Sequence, residues 1–439
     1  MNANLCFFHI VVTLLLCLSG LAGCGGDDEE RLGTFADSVA ASGSDGETGA
    51  QSGEGGASTG IETGSVDATA ENFGVELLGR VTFPEWIADV WGAGDYAYVA
   101  GGGSFTTEFG FYVVDLSDPK APRVVQAVRN IGLVLDVKVA DNLLVTGQED
   151  VEESGGIGIF DVRNPAAPVQ RSAFRTSTFR SVHNVFVKDQ LVYAAEDEVT
   201  ADLRIIDVHD PENPTEIGHF TPDPHTSYLH DVTVVGNVAY ASWLDDGFYI
   251  LDVSDPAHPV ELAHHNYPGS FTHNAWPTQD GAYLLTTDEI PPRNDTPGGF
   301  IRIWDIRDYG NIEQVATYAS NPDAVVHNVV VSGDYAYIAY YAEGLVVLDI
   351  SDPTQPRRIA HYDTFPDPDD TELYQNGRGF VGAWGVYPFS APYIVLSDIS
   401  EGLFIFRRAP SSEGSEKSFG SLLAGGRGRG SSVVTTFGE

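Results

Sequence analysis

Four His-Asn or His-Asp pairs recur along the chain: His183-Asn184, His230-Asp231, His273-Asn274 and His327-Asn328. Acidic residues recur with them, at Glu149, Asp150, Glu196, Asp197, Asp245, Asp246, Asp288, Glu289 and Asp398. Imidazole beside carboxylate is a donor set for a transition-metal ion, whereas carboxylate with amide and carbonyl oxygen suits calcium. The same groups can exchange protons with a substrate. The candidate ligand-binding residues are therefore His183, His230, His273, His327, Asp288, Glu289 and Trp384. Asp288, Glu289, His273 and His327 are the candidates for a divalent cation such as calcium. A competing reading is open. A histidine repeated at matched positions can hold one strand to its neighbour, and four separate repeats would set the imidazoles on a ring too wide for one ion. Function is usually asymmetric, so Asp288, Glu289, Trp384 and the long segments 287–299 and 363–380 are the sharper candidates.

The elements that position these residues come from a second repeat. GLVVLDISDPTQP (344–356), GFYILDVSDPAHP (247–259) and GFYVVDLSDPKAP (110–122) are copies of one pattern, with weaker copies at 158–168 and 203–214. IRIWDIRD (301–308) keeps the apolar run but lacks both prolines. A β-branched and aromatic run favours a buried strand, and Asp/Asn-Pro ends the ladder because proline has no N–H to donate. The matched aspartates Asp115, Asp161, Asp207, Asp252, Asp305 and Asp349 fall 44 to 53 residues apart. A period in the forties with four strands per period predicts a seven-bladed β-propeller, all-β, each blade a four-stranded antiparallel sheet. Seven first strands can be counted, but the seventh repeat lacks a fourth strand. The unpartnered run 75–82 predicts the closure: it completes the last blade and removes the ring's open edge. Strand direction then puts the His pairs and the rim carboxylates at one channel mouth, opposite the Asp-x-x-Asp-Pro turns.

The ends read differently. Residues 1–23 form a lipoprotein signal peptide, with an apolar core at 10–18 and LAGC at 21–24, so that Cys24 would be lipidated. LAGC resembles the bacterial lipobox, and with Gly25 after it the resemblance to the bacterial sorting pattern implies the outer membrane. Cys6 and Cys17 lie in the signal, so the exported domain carries no disulfide. Residues 24–74, rich in Gly, Ser and acid, read as a disordered tether, 75–408 as the propeller, and 409–439 as a disordered tail. The net charge of −40 excludes generic nucleic-acid binding, which needs a basic footprint.

Three stretches carry a resemblance. They are FTHNAWPTQD (271–280) followed by Thr287-Asp288-Glu289; His327-Asn328 with Tyr335-Ala336-Tyr337 and Gly344-Leu345; and GAWGVYPF (382–389) with Ser397-Asp398 and EGLF (401–404). With the turns above, they resemble the LVIVD repeat of bacterial and archaeal surface proteins, and more closely the choice-of-anchor B family. The resemblance implies an exported, anchored propeller, the membrane being reached through lipid on Cys24. It implies no catalytic residues. Three functions stay open: a non-enzymatic surface binding or adhesion module, cation-dependent, with its ligand at the channel mouth; a hydrolase or lyase using Asp288, Glu289 and His273 or His327 on the same rim; or a scaffold whose blades present surface to protein partners.

Overall fold

The computed structural model describes residues 72–103, 110–150, 154–224, 226–291, 299–321, 324–365, 380–389 and 393–409. The chain divides into two units, Met1–Thr59 and Gly60–Glu439. The signal, Cys24, most of the tether, the tail and most of the two long segments lie outside the described residues.

The strands all belong to the second unit. They run from Val75 to Arg408 and form seven antiparallel sheets of four strands each. Each sheet is a blade; six are built in chain order from an inner first strand to an outer fourth, and the seventh takes its outer strand from the start of the domain. The inner strands are buried on both sides, because they pack against neighbouring blades as well as within their own; Leu133–Ala140 and Asp231–Val235 are buried almost throughout, their polar residues included. The outer strands are largely exposed, as in Val260–His265, where only Ala263 is buried. A register shift recurs where third and fourth strands pair, between Val113 and Val114, Ile205 and Ile206, Ile250 and Leu251, and Val347 and Leu348. A bulge at one matched place in each blade increases the twist that lets blades stack around an axis.

The seventh blade is closed as the sequence predicts. Val75–Val81 pairs antiparallel with Gly402–Arg408, from Val75 opposite Arg408 to Val81 opposite Leu403. It also seals the ring against blade one. A Cβ on Gly79 would lie 2.5 Å from the Pro119 carbonyl oxygen and 2.9 Å from Pro122, so only glycine admits this approach.

The repeated aspartates shape the turns. Asp115, Asp252 and Asp349 each accept the backbone N–H two residues on, from Ser117 (2.9 Å), Ser254 (2.8 Å) and Ser351 (3.0 Å). Blade five, without prolines, keeps the same bonds: Arg307 N–H to Asp305 at 3.1 Å and Gly310 N–H to Asp308 at 2.9 Å. The carboxylate, more than the proline, therefore defines the turn. Bonds from Ser117 and Ser254 hold Asp115 and Asp252 below the usual carboxylate range. A depressed folded pKa gives stability that is complete above the unfolded value of about 3.9 and lost as pH falls below it. Asp349→Ala is expected to cost about 1–2 kcal/mol in urea denaturation, and Pro353→Ala less than about 1 kcal/mol. A costlier proline variant would reverse the assignment.

Candidate functional site

The channel mouth is built from matched positions on the innermost strands. Residues one place beyond the histidines form a lock between blades. Asp136 accepts from Val185 N–H (2.7 Å), Asn184 from Val232 N–H (3.2 Å) and Asn274 from Val329 N–H (3.1 Å), each reaching into the next blade or across to it. Asp231 accepts from the amides of both Asn184 (2.8 Å) and Asn274 (3.0 Å), and burial pushes its carboxyl up to about 7. In blades one and two the lock is ionic. Lys138, buried on Leu133–Ala140, donates to Asp89 at 2.7 Å and also to Asp136. Lys138 stays charged, its pKa raised because these carboxylates outweigh the desolvation that opposes them.

Beside this lock the four histidines touch. Ring centroids of His183 and His230 are 4.2 Å apart, His230 and His273 4.1 Å, and His273 and His327 4.2 Å. The expectation of a wide ring is thus corrected: the inner strands come close enough to put imidazoles in direct contact around an arc. All four are buried. Trp384 continues the arc in blade seven, 4.8 Å from His327, with Trp86 6.5 Å beyond it. A half-open cavity of about 40 Å³, room for a water, is lined by the four histidines together with the Asp/Asn lock, Trp91 and Trp276; Glu289 is not part of its lining.

The two nitrogens of a ring have separate tasks. His230 Nδ1 lies 3.3 Å from the His273 carbonyl, and His327 Nδ1 lies 2.5 Å from that of Trp384. These two contacts are the interblade hydrogen bonds of the structural reading; His273 Nδ1, by contrast, is buried without a hydrogen-bond partner. The Nε2 atoms of His273 and His327 face Glu289, each 3.8 Å from one of its oxygens. Neither His273 Nε2 nor Glu289 Oε2 has a hydrogen-bond partner, although both residues are 2 % exposed. Glu289 Oε1 accepts from the Tyr341 hydroxyl at 2.6 Å. Burial pushes Glu289 up to about 8, against the Tyr341 bond and the His183 imidazole, which pull it down. Burial pulls His230 and His273 well below their ordinary value and His327 down to about 3, so these rings are neutral donors at neutral pH.

Of the residues expected to meet, His273, His327 and Glu289 do so, with ligand atoms all within 4.8 Å of one another. Asp288 does not join them. It ends the strand Tyr283–Asp288, and its carboxylate is taken by Arg302 Nε (2.6 Å), the Tyr267 hydroxyl (2.6 Å) and Phe271 N–H (3.2 Å). Successive side chains along an extended chain point to opposite faces, so only one of the adjacent acids reaches the mouth. His183 and His230 lie in the arc but outside this trio. Tyr341 is a site residue that the sequence did not single out. Its backbone has φ 24°, and the neighbouring segment approaches at Gly382, where a Cβ would meet the Tyr341 carbonyl at 2.4 Å. The Tyr340-Tyr341 break after a regular Tyr-Ala-Tyr strand was the available signal.

The profile of the LVIVD repeat matches residues 87–129, 180–221, 228–266 and 325–364, which are blades one, three, four and six. The chain carries LVIVD repeats. His183, His230 and His327 fall within matched LVIVD blades, while His273 and Glu289 belong to blade five, outside them. No curated protein matches the chain. Among solved structures, the computationally designed Ika8 protein aligns with 76% of this chain and all of its own, at 9% identity and a TM-score of 0.49.

Proposed function

We propose that this LVIVD propeller is a surface binding module whose channel mouth holds a divalent cation on His273, His327 and Glu289. The observation that carries the reading is the pair of unpartnered buried atoms, His273 Nε2 and Glu289 Oε2. Leaving such groups unpaired costs about 1–3 kcal/mol each, and a cation at this point would satisfy both. Two imidazoles and one carboxylate favour a borderline ion such as zinc over calcium. The His327 Nδ1 contact with the Trp384 carbonyl orients that ring as a ligating histidine usually requires. Trp384 and Trp86 flank the site and offer apolar faces to a ligand bound above the ion. The membership in choice-of-anchor B, the lipid on Cys24 and attachment to the outer membrane belong to this proposal and rest on the sequence. A hydrolase is the second reading, favoured by one feature: His₂Glu is a catalytic zinc set that leaves a position open for water.

The test is metal analysis of the untagged full-length chain, with a melting scan in chelator. Zinc at stoichiometric level is expected, with the Tm falling by about 5 °C on chelation. His273→Ala and Glu289→Gln should each reduce the chelator effect. Absence of retained metal and of any chelator effect in the parent would sink the cation. Hydrolysis of an activated ester by the zinc-loaded chain, lost in Glu289→Gln, would move the assignment to the enzyme.

A further inference from the structure

We propose that the channel mouth binds a second divalent transition-metal ion, held by Glu149, His183 and Asp197. Glu149 ends the strand Leu143–Glu149 of blade two, His183 lies on Val182–Lys188 of blade three, and Asp197 follows that blade's second strand, Leu191–Glu196. One ligand atom from each lies within 4.8 Å of the others. Ligand atoms around a tetrahedral zinc are roughly 3.4 Å apart, given bonds of about 2.1 Å, so closing the site needs side-chain movement of about an ångström.

Three features point to a cation here. Asp197 Oδ1 carries no exposed surface and no hydrogen-bond partner. The backbone fixes the carboxylate in place, Asp197 N–H donating to the Ser181 carbonyl at 3.2 Å. The nearby guanidinium groups are committed elsewhere: Arg175 pairs with Asp150 at 2.8 Å, and Arg180 with Asp150 at 3.3 Å and Glu198 at 2.7 Å. His183 Nδ1 lies 2.8 Å from Glu149 Oε1, and an ion here would take the place of that contact. An ion would satisfy the unpartnered Asp197 Oδ1. Imidazole in the set again selects a zinc-like ion.

This site shares no ligand with the trio at Glu289, and the arc of imidazoles separates the two. Its carboxylate Glu149, like Glu289, comes from a blade outside the matched repeats. Both sites therefore draw an acid from the irregular part of the ring.

The experiment counts zinc retained by the untagged full-length chain after chelation, reloading and dialysis, with cobalt as a visible-spectrum probe. Two equivalents are expected in the parent, one in Asp197→Asn, one in Glu289→Gln, and none in the double variant. Glu149→Gln serves in place of Asp197→Asn if that variant fails to fold. One equivalent in the parent that vanishes in Glu289→Gln but persists in Asp197→Asn and Glu149→Gln overturns the second site alone. One equivalent with the opposite pattern overturns the site at Glu289 and keeps this one. Two equivalents that persist in Asp197→Asn and Glu149→Gln also overturn the second site.

Discussion

Deleting residues 75–82 should abolish the cooperative melt of the propeller. Val75–Val81 supplies the outer strand of blade seven, and its loss unpairs the whole outer edge of Gly402–Arg408. Val81, fully packed in the core, goes with it, as does the Arg80 contact with Glu401. Blade one loses its neighbour at Gly79, where the strand backs onto Pro119 and Pro122. An opened ring exposes a bare edge that invites association with other chains. Circular dichroism and calorimetry would show a broadened transition and aggregation on heating. A synthetic 75–82 peptide, added in trans, should recover part of the transition. Gly79→Val tests the contact with blade one by itself, because the added methyl groups meet backbone and a proline ring. A deletion variant with an unchanged Tm would show that the ring does not depend on this strand.

Lys138→Met carries the second large effect. The ammonium is buried between Asp89 and Asp136 and lies 5.0 Å from the centre of the Trp91 ring. Removing one member of a buried ionic group leaves the others as uncompensated charge, at a cost of about 3–5 kcal/mol. Urea denaturation should show a loss of that size. The variant should regain stability as pH falls from 8 to 5. A carboxyl whose folded pKa is raised binds protons more readily folded than unfolded, so its penalty fades as pH falls through that pKa. Changing Asp89 and Asp136 to Asn alongside Lys138→Met should restore most of the loss. Asn already fills the corresponding position at Asn184, Asn274 and Asn328, and at two of them it accepts the same backbone N–H. A loss below about 1 kcal/mol in the single variant would mean that water reaches the group and screens it.

The parts of the fold that repeat were legible, because periodicity is a property of sequence. The Asp-x-x-Asp turns counted the blades, and the leftover strand at 75–82 announced the closure. The positions of the histidines were also visible. Their mutual distance was not, since it depends on how tightly the inner strands converge, and no local pattern encodes that. Asp288 and Glu289 are neighbours of like chemistry, and only the register of Tyr283–Asp288 decides which one faces the mouth. Lys138 passed as one lysine among few; its role depends on two acids, one of them in the preceding blade. The structural and ligand readings of the histidines looked exclusive when each residue was treated as a unit. At the level of atoms they coexist, Nδ1 joining blades and Nε2 facing Glu289.

The closing strand has a consequence for biogenesis. Among the described strands, Val75–Val81 is the first to leave a ribosome or a translocon, and its partner Gly402–Arg408 is the last. For the whole intervening period the first strand has no native neighbour on its pairing side, while six blades can form one after another behind it. Assembly therefore ends in a single late step that joins the two extremes of the domain, and contacts so distant in sequence form slowly. A chain cut short anywhere before residue 402 would be an arc with two sticky ends. Such arcs are expected to associate through those ends, so truncated chains should aggregate where the full ring stays apart.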